Sequence, residues 1–483
     1  MMAPIYPQLL YKAILKFPEI SVLIVGDLIL DEYVYGETER ISPEAPVQVV
    51  DVKQNLYSLG GAGNVANNVI SLGAKAFVAG VIGEDEEGKI LIEKFKEKGI
   101  SPEGIIKEDK RPTTKKTRII ANGQHIVRLD REVRRPISSH TEGLLLDYIL
   151  SNCKDIDAVI VSDYAKGVVT ERILSSLKKR FVHKPILVDP KGLNFNKYRG
   201  VTAITPNKKE ALSASREEDI LAAGKKFLKE LYLKAVFITL GKEGIFFIDK
   251  NGESAHIPAM AKEVYDVSGA GDTVVSTLCL SLASGLSFYE AAYLANLAGS
   301  IVVGKLGTAP VYKNELTNAL FEDFTKTKVL DISDLIQRIA YLKGQGKKIV
   351  FTNGCFDIIH PGHIHLLRES KKIGDVLVVA LDDDESVKKV KGAGRPVLNQ
   401  FERAQIISAL DCVDYVIIFS TDKLRQILEK IKPDFLTKGE DYIGKEVVGK
   451  EIVERYGGKV ILIPFSQKGS SSEIIDKIKK VAC

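Results

Sequence analysis

The sequence predicts an α/β fold built from two successive parallel sheets, the first carrying a small β-rich flap. Three observations predict it. Short β-branched runs alternate with amphipathic segments from one end of the chain to the other. That rhythm breaks only before about residue 130, where antiparallel-looking runs flank turns. A second series of βα units then begins after residue 330. The 483 residues exceed one compact core, and the usual scaling suggests roughly two to four folding units.

In chain order, SVLIVGD at 21, AVIVSD at 158, PILVDP at 185 and AVFITLG at 235 read as buried parallel strands separated by helical patterns. VQVVDV near 47 and TKKTRIIANGQHIVRLD from 114 read as antiparallel strands of the flap. KKIVFTNG, DVLVVAL, YVIIFS, DFLTKG and KVILIPF form the second, doubly wound series. The polar stretch FEDFTKTK at 321 to 328 is the expected junction, which gives domains at 1–325 and 331–483.

Composition narrows the function classes. Hydrophobic residues at 45% and charged residues at 27% are ordinary for a globular chain. The net charge of +5 is spread as single and paired cations rather than a basic block, so no nucleic-acid partner is expected. Five scattered cysteines (Cys153, Cys279, Cys355, Cys412, Cys483) show no C-x-x-C pair, which favours a reducing compartment. The opening MMAPIYPQLLYKAILKFPEI lacks the cationic start and apolar run of a signal peptide, and no stretch approaches the ~20 apolar residues that span a bilayer. A cytoplasmic location and no membrane partner are expected.

The first chemical motif is DVSGAGDT at 266 to 273, just before the apolar run VVSTLCLSLASG. Its glycines fall at a helix N-terminus, where free N–H groups and the helix dipole attract anions. Gly269, Ala270 and Gly271 let the backbone approach a transferring phosphoryl group, and Asp272 is placed to act as general base. A turn with an N-capping aspartate is the competing reading. GGAGNVANN at 60 to 68 supplies a second glycine turn, Gly60 and Gly61, opening a helix on which Asn64 can bond a polyol.

Those two signatures, in this order, resemble the ribokinase or PfkB family. GDLILDEYVYGETERISPEAPV at 26, SDYAKG at 162, VDPKG at 188 and TPNKKE at 205 resemble its heptose 7-phosphate kinases, over about residues 20 to 312. The resemblance implies a ribokinase-like α/β/α sandwich with a β lid, and ATP and Mg²⁺ organised by Asn207 and Glu210 with Lys208 and Lys209 between them. No permanent metal site is implied, the Mg²⁺ arriving with ATP near Glu210. Asp31 falls where such kinases grip sugar hydroxyls, and Lys191 could neutralise phosphate charge. Exposed-turn or surface roles compete for both, and for the lysines. A sugar phosphate needs a cationic clamp, for which Arg118 and Arg128 on the lid strands are the candidates. Gly299 to Leu306 mimics P-loop spacing, but Leu306 lacks the Mg²⁺-binding hydroxyl, and the stretch sits in an apolar helical pattern.

The second motif, FTNGCFDIIHPGHIHLL at 351 to 367, runs from a buried strand through a glycine turn into a helix. His360 and His363 in H-x-G-H face one phosphate site, and Gly362 leaves room for phosphate to approach the backbone. No protein nucleophile is required if a substrate phosphate attacks an α-phosphorus; the protein orients groups and stabilises charge. A zinc reading of Cys355, His360, His363 and His365 lacks a second Cys or His cluster.

KGAGRP at 391, QFERAQIISAL at 400, LTKGEDY at 436 and GSSSEII at 469 follow in order. Together they resemble the cytidylyltransferase-like nucleotidyltransferases, and most closely heptose 1-phosphate adenylyltransferase, over about residues 331 to 481. The resemblance implies His360, His363 and Lys391 in catalysis. It places Thr352, Asn353, Gly354, Phe356, Asp357, Gly362, Lys438 and Gly439 near the nucleotide, Arg403 in support, and Ser471 and Ser472 on phosphate. Asp382 and Asp383 stand where relatives often have Asn and Ser, and Ser471 and Ser472 where Thr is usual.

Both matches in one chain resemble the bifunctional heptose 7-phosphate kinase and heptose 1-phosphate adenylyltransferase. Heptose phosphates and ATP are then the expected partners, with a homodimer through the kinase lid. A kinase for another sugar phosphate fused to a cytidylyltransferase, and a nucleotide-binding regulator without turnover, are the alternatives.

Overall fold

The computed structural model describes residue 5 and residues 7–260, 266–305, 307–325, 328–392 and 394–464. The chain divides into two compact units, Met1–Glu322 and Asp323–Cys483. Helix Lys313–Thr325 runs across that division.

In the first unit the strands are β1 Ser21–Ile41, β2 Gln48–Gly61, β3 Lys75–Gly83, β4 Ile105–Glu108, β5 Thr114–Ala121 and β6 Gln124–Arg131. They continue with β7 Ala158–Ser162, β8 Ile186–Asp189, β9 Ala203–Ile204, β10 Ala235–Thr239, β11 Ile245–Asp249 and β12 Ser254–Ile257. The body sheet has the order β12-β11-β10-β9-β8-β7-β1-β3-β4, parallel except where β11 and β12 run antiparallel at one edge. Its central strands read as continuous apolar runs because helices cover both faces: Val22, Leu23, Ile24 and Val25 are all fully buried.

β1 does not stop at the edge of the body. After Gly26 and Asp27 it continues into the lid, and its burial changes from unbroken to alternating beyond Tyr33. β2 pairs antiparallel with its outer half, as the sequence led us to expect. β5 and β6 form the expected antiparallel hairpin around Asn122 and Gly123, but β5 joins β1 in parallel. That parallel pairing is not written in the local pattern, because it depends on the distant return of the chain through β3 and β4.

In the second unit, β13 Val329–Leu330, β14 Ile349–Gly354, β15 Val376–Asp382, β16 Tyr415–Phe419, β17 Phe435–Gly439 and β18 Lys459–Ile463 are all parallel. Their order is β13-β16-β15-β14-β17-β18. Chain progress reverses direction between β14 and β17, so a crevice opens beyond the carboxyl ends of those two strands. Apolar side chains pack both faces of this sheet, with Phe351 and Val378 on one side and Val350 and Val379 on the other.

Candidate active sites

In the first unit two glycine turns place two helices against each other. Gly61, at φ 56°, opens helix Ala62–Ser71, and Gly269, at φ 78°, opens helix Ala270–Ala283. Both are left-handed conformations that glycine adopts without strain. A Cβ on Gly269 would lie 2.7 Å from Asn64 Nδ2, so the glycine also permits the contact between the helices.

Asp272, one turn into its helix, is buried. Asn64 Nδ2 donates to its Oδ2 at 2.7 Å, and the Tyr164 hydroxyl donates to its Oδ1 at 3.0 Å. Burial pushes the carboxyl up to about 6, while the two donors and Lys116 hold it down and Asp31 adds to the rise. A base poised just below neutrality is suited to accepting a hydroxyl proton. Asn64 Oδ1 is buried without a protein partner, which leaves an acceptor facing the same space.

Asp31 is buried on β1 and paired with Arg118 of β5. A Cβ on Gly60 would fall 2.3 Å from Asp31 Oδ2, so the glycine makes room for that carboxylate. Arg128, opposite Arg118 across the hairpin, is exposed and held by Asp130 at 2.8 and 3.1 Å.

The N-x-x-E pair forms a reciprocal capping box on helix Lys208–Ser215. Asn207 Oδ1 accepts from the Glu210 N–H, and Glu210 Oε2 accepts from the Asn207 N–H, both at 3.0 Å. Glu210 Oε1 remains for Lys191, whose Nζ lies 2.5 Å away. Lys208 and Lys209 are exposed, and Lys208 meets Glu243 at 3.4 Å. Beside them Asp189 is pushed up to about 8 by burial and by the charges of Asp272 and Glu210.

In the second unit His360 is the N-cap of helix Pro361–Ile373, whose first residue is a proline suited to that position. The His360 and His363 rings lie against each other, tilted by 31° with centroids 3.9 Å apart, and Phe356 lies 5.1 Å from His363. A Cβ on Gly362 would sit 3.0 Å from His360 Cε1. The glycine therefore admits the His360 ring over the backbone, a more specific need than general room for phosphate. Burial, His360 and Lys391 push His363 down to about 4, and its Nδ1 is buried without a partner. Lys391 ends helix Asp384–Lys391 and is exposed.

Phe356 is buried at φ 44°, a conformation costly for a non-glycine residue. The turn is held from both sides. Arg403, fully buried, donates to the Cys355 carbonyl at 2.6 Å, the Leu398 carbonyl at 3.1 Å and Asp384 at 2.7 Å. Asp357, also fully buried, accepts from Arg395 and from the Val397 N–H at 2.7 Å. Across the switch point, buried Lys438 donates to the Asn353 carbonyl at 2.7 Å, and burial pushes its ammonium down to about 8. Thr352 bonds the Thr437 carbonyl at 3.0 Å, tying β14 to β17 behind the site. Gly354 and Gly439 end those strands. Asp382 accepts from Thr421 at 3.1 Å, and Asp383 caps helix Asp384–Lys391. Ser471 and Ser472 lie outside the described residues. Among the described residues no group of three or more His, Cys, Asp or Glu side chains is arranged to hold a metal ion.

Residues 20–314 match the pfkB family of carbohydrate kinases, and residues 351–477 match the cytidylyltransferase-like family. A bifunctional protein HldE from Geotalea uraniireducens (strain Rf4) is 47% identical over 470 residues, covering 95% of this chain and 96% of that protein. This chain belongs to the HldE family of bifunctional proteins. Another HldE, from Desulfatibacillum aliphaticivorans, is 47% identical over 472 residues, with 96% of each chain covered. The kinase unit of this HldE-family chain has the fold of phosphofructokinase-2 from Escherichia coli and of ribokinase from Thermotoga maritima. The first aligns at TM-score 0.52 and 19% identity, covering 63% of this chain and 98% of that one. The second aligns at 0.51 and 23%, covering 63% and 99%.

Sequence reasoning overlooked three residues of these HldE sites. Tyr164 sits in SDYAKG, and only the fold brings its hydroxyl to Asp272, 108 positions away. Lys116 lies two residues before Arg118, the spacing that puts both on one face of β5. Arg395 sits inside KGAGRP and presents a buried, unpartnered Nη2 beside the second site. An arginine in a glycine turn that follows Lys391, the lysine expected to act in catalysis, was the available signal.

Proposed function

We infer that this chain catalyses two steps of ADP-heptose synthesis, between which a separate phosphatase removes the 7-phosphate. The first unit phosphorylates D-glycero-D-manno-heptose 7-phosphate at O1 with ATP. The second transfers AMP from ATP to heptose 1-phosphate, releasing pyrophosphate. Membership of the HldE family across nearly the whole chain carries this reading. The product serves as precursor for the lipopolysaccharide core.

In the first reaction Asp272 accepts the O1 proton as the hydroxyl attacks the γ-phosphorus and ADP leaves with the bridging oxygen, with Asn64 and Tyr164 fixing the carboxylate in line. The N–H groups at Gly269, Ala270 and Gly271 receive the transferring group. Asp31 and Asn64 bond sugar hydroxyls. Mg²⁺ bound with ATP would neutralise phosphate charge there; such a cation takes one or two carboxylates and the substrate phosphates rather than a protein cage. Asp189, whose proton affinity is raised by burial and by the charges of Asp272 and Glu210, fits that requirement together with the neighbouring Glu210 carboxylate.

In the second reaction His360, His363, Lys391 and Lys438 surround the triphosphate, and charge at the α-phosphorus is met by preorganised donors. Arg403 and Asp357 hold the turn on which this depends. We assign residues 1–325 to the kinase and 331–483 to the nucleotidyltransferase, with Ser471 and Ser472 on phosphate. A homodimer through the lid, a cytoplasmic location and no nucleic-acid partner complete the reading. No helix among the described residues is long and apolar enough to cross a membrane.

Incubation with ATP, Mg²⁺, heptose 7-phosphate and a bisphosphate phosphatase should yield ADP-heptose. Absence of that product, with the phosphatase shown active, overturns the reading.

A further inference from the structure

We propose that Lys116 is the residue that recognises the phosphate ester of the sugar substrate in the kinase unit, and so sets the preference for a phosphorylated acceptor. The proposal rests on the kinase reading above and names the group that reads the acceptor's charge.

The charges on the inner face of the lid can be paired off. β5 lies beside β1 with Lys116 opposite Asp31, and beside β6 with Lys116 opposite Asp130 and Arg118 opposite Arg128. Directly opposed residues share a face, as do residues two apart, so Lys116, Arg118, Arg128, Asp31 and Asp130 line one surface. Arg118 is bound by Asp31, and Arg128 by Asp130 through two contacts. Nearby Lys166 is bound by Glu132 at 2.6 Å. Lys116 has no hydrogen bond or ion pair among the described residues.

Its ammonium is half-buried and rests 5.4 Å from the centre of the Tyr164 ring, whose hydroxyl bonds Asp272. Burial lowers its proton affinity, with Asp31 and Asp130 opposing that effect and Lys166 and Arg128 adding to it. A partly desolvated cation whose two neighbouring carboxylates are each bound to an arginine is a site prepared for an anion that arrives with the ligand. The anion is the acceptor's own phosphate rather than the one being transferred. Lys116 stands on the lid strand opposite Asp31, the sugar side of Asp272, whereas the glycine turn for the transferring group opens the helix that carries Asp272.

The test uses the full chain with saturating ATP and two acceptors, heptose 7-phosphate and heptose lacking the phosphate. Lys116→Met should cut kcat/KM for the phosphorylated acceptor by about 10- to 10²-fold, mainly through KM, the cost of losing one charge-assisted contact. The ratio of kcat/KM between the two acceptors should collapse by the same factor, and Lys116→Arg should restore most of it. An equal loss for both acceptors, carried by kcat, would mean that Lys116 acts on the transferred group or through Tyr164, and overturns the proposal. So does an undiminished ratio. If Lys116→Met does not fold, as judged by thermal melting and nucleotidyl transfer, Lys116→Gln asks the same question. A wild-type chain that ignores heptose 7-phosphate but uses another sugar phosphate sinks the heptose reading alone, and the comparison is then run on that sugar with and without its phosphate. A wild-type chain that prefers unphosphorylated sugars sinks the Lys116 assignment.

Discussion

The Tyr164 hydroxyl lies 3.0 Å from Asp272 Oδ1 and donates to it, so a tyrosine from one loop stabilises the ionised form of the proposed base on a distant helix. Removing that donor favours the protonated carboxyl, whose affinity already stands at about 6. In the wild type, kinase kcat/KM should fall as pH drops through about 6, because the base works only as a carboxylate. Tyr164→Phe should move this acidic limb to higher pH. A bond to a charged group is worth about 1.5–3 kcal/mol, enough to leave turnover at pH 7 roughly two- to fifteenfold lower and largely recovered at pH 8.5. An unmoved limb in the pH–rate profile contradicts the assigned contact.

Asp272→Asn is isosteric and keeps the glycine turn, so the fold should survive. Kinase turnover should fall by about 10²- to 10⁴-fold. Nucleotidyl transfer, which depends on residues of the other unit, should be nearly unchanged. Steady-state assays of both activities on one preparation decide it; kinase turnover within a few-fold of wild type rules out the base.

His363→Ala should lower nucleotidyl transfer by about 10²- to 10³-fold, mainly in kcat. The wild-type ring is neutral near pH 7, because burial, His360 and Lys391 hold its affinity near 4. A neutral imidazole still offers one N–H to developing charge, and ATP binding should weaken much less than turnover. A large rise in the dissociation constant for ATP with kcat preserved would show that the ring serves ground-state binding instead.

The boundary of the second unit can be tested by truncation. A fragment 323–483 should fold and transfer a nucleotide, whereas 331–483 should melt lower. The shorter fragment removes β13, which covers the edge of β16 at Val416 and Ile417, and removes the Lys328 carbonyl that accepts from the Val416 N–H at 2.7 Å. Lys328 Nζ also bonds the Leu410 carbonyl at 2.8 Å. Equal melting midpoints by circular dichroism would show that this edge contributes nothing.

What the sequence made legible was local. β7, β8, β10 and β14 to β18 stand where β-branched runs were read, because strands buried on both faces advertise themselves as uninterrupted apolar stretches. β13 escaped notice because two residues carry no period. The glycine turns at Gly61 and Gly269 were readable for the same local reason, a glycine just before an apolar helical pattern. Which charges face one another was not readable. Arg118 and Lys116 look alike in TKKTRII, and although the register sets Lys116 opposite Asp31, the folded side chains give that carboxylate to Arg118. Asn207 and Glu210 were read from a resemblance as ligands of Mg²⁺ and ATP, while the backbone gives them a second employment as a helix cap.

β1 carries a mechanical consequence. A continuous strand of 21 residues is a stiff beam, anchored at one end between β3 and β7 and projecting at the other into the lid. Its pairing with β2 is regular from Leu28 to Tyr35 and first slips between Tyr35 and Gly36, then again between Thr38 and Arg40. Such irregularities are where a ladder yields. Asp31 lies on the anchored side of both, so the beam should flex beyond the carboxylate proposed to bind the sugar. Asp31 then keeps its distance to Asp272 while the far tip of the lid swings, and amide exchange should be slow through Asp31 and fast from Gly36 onward.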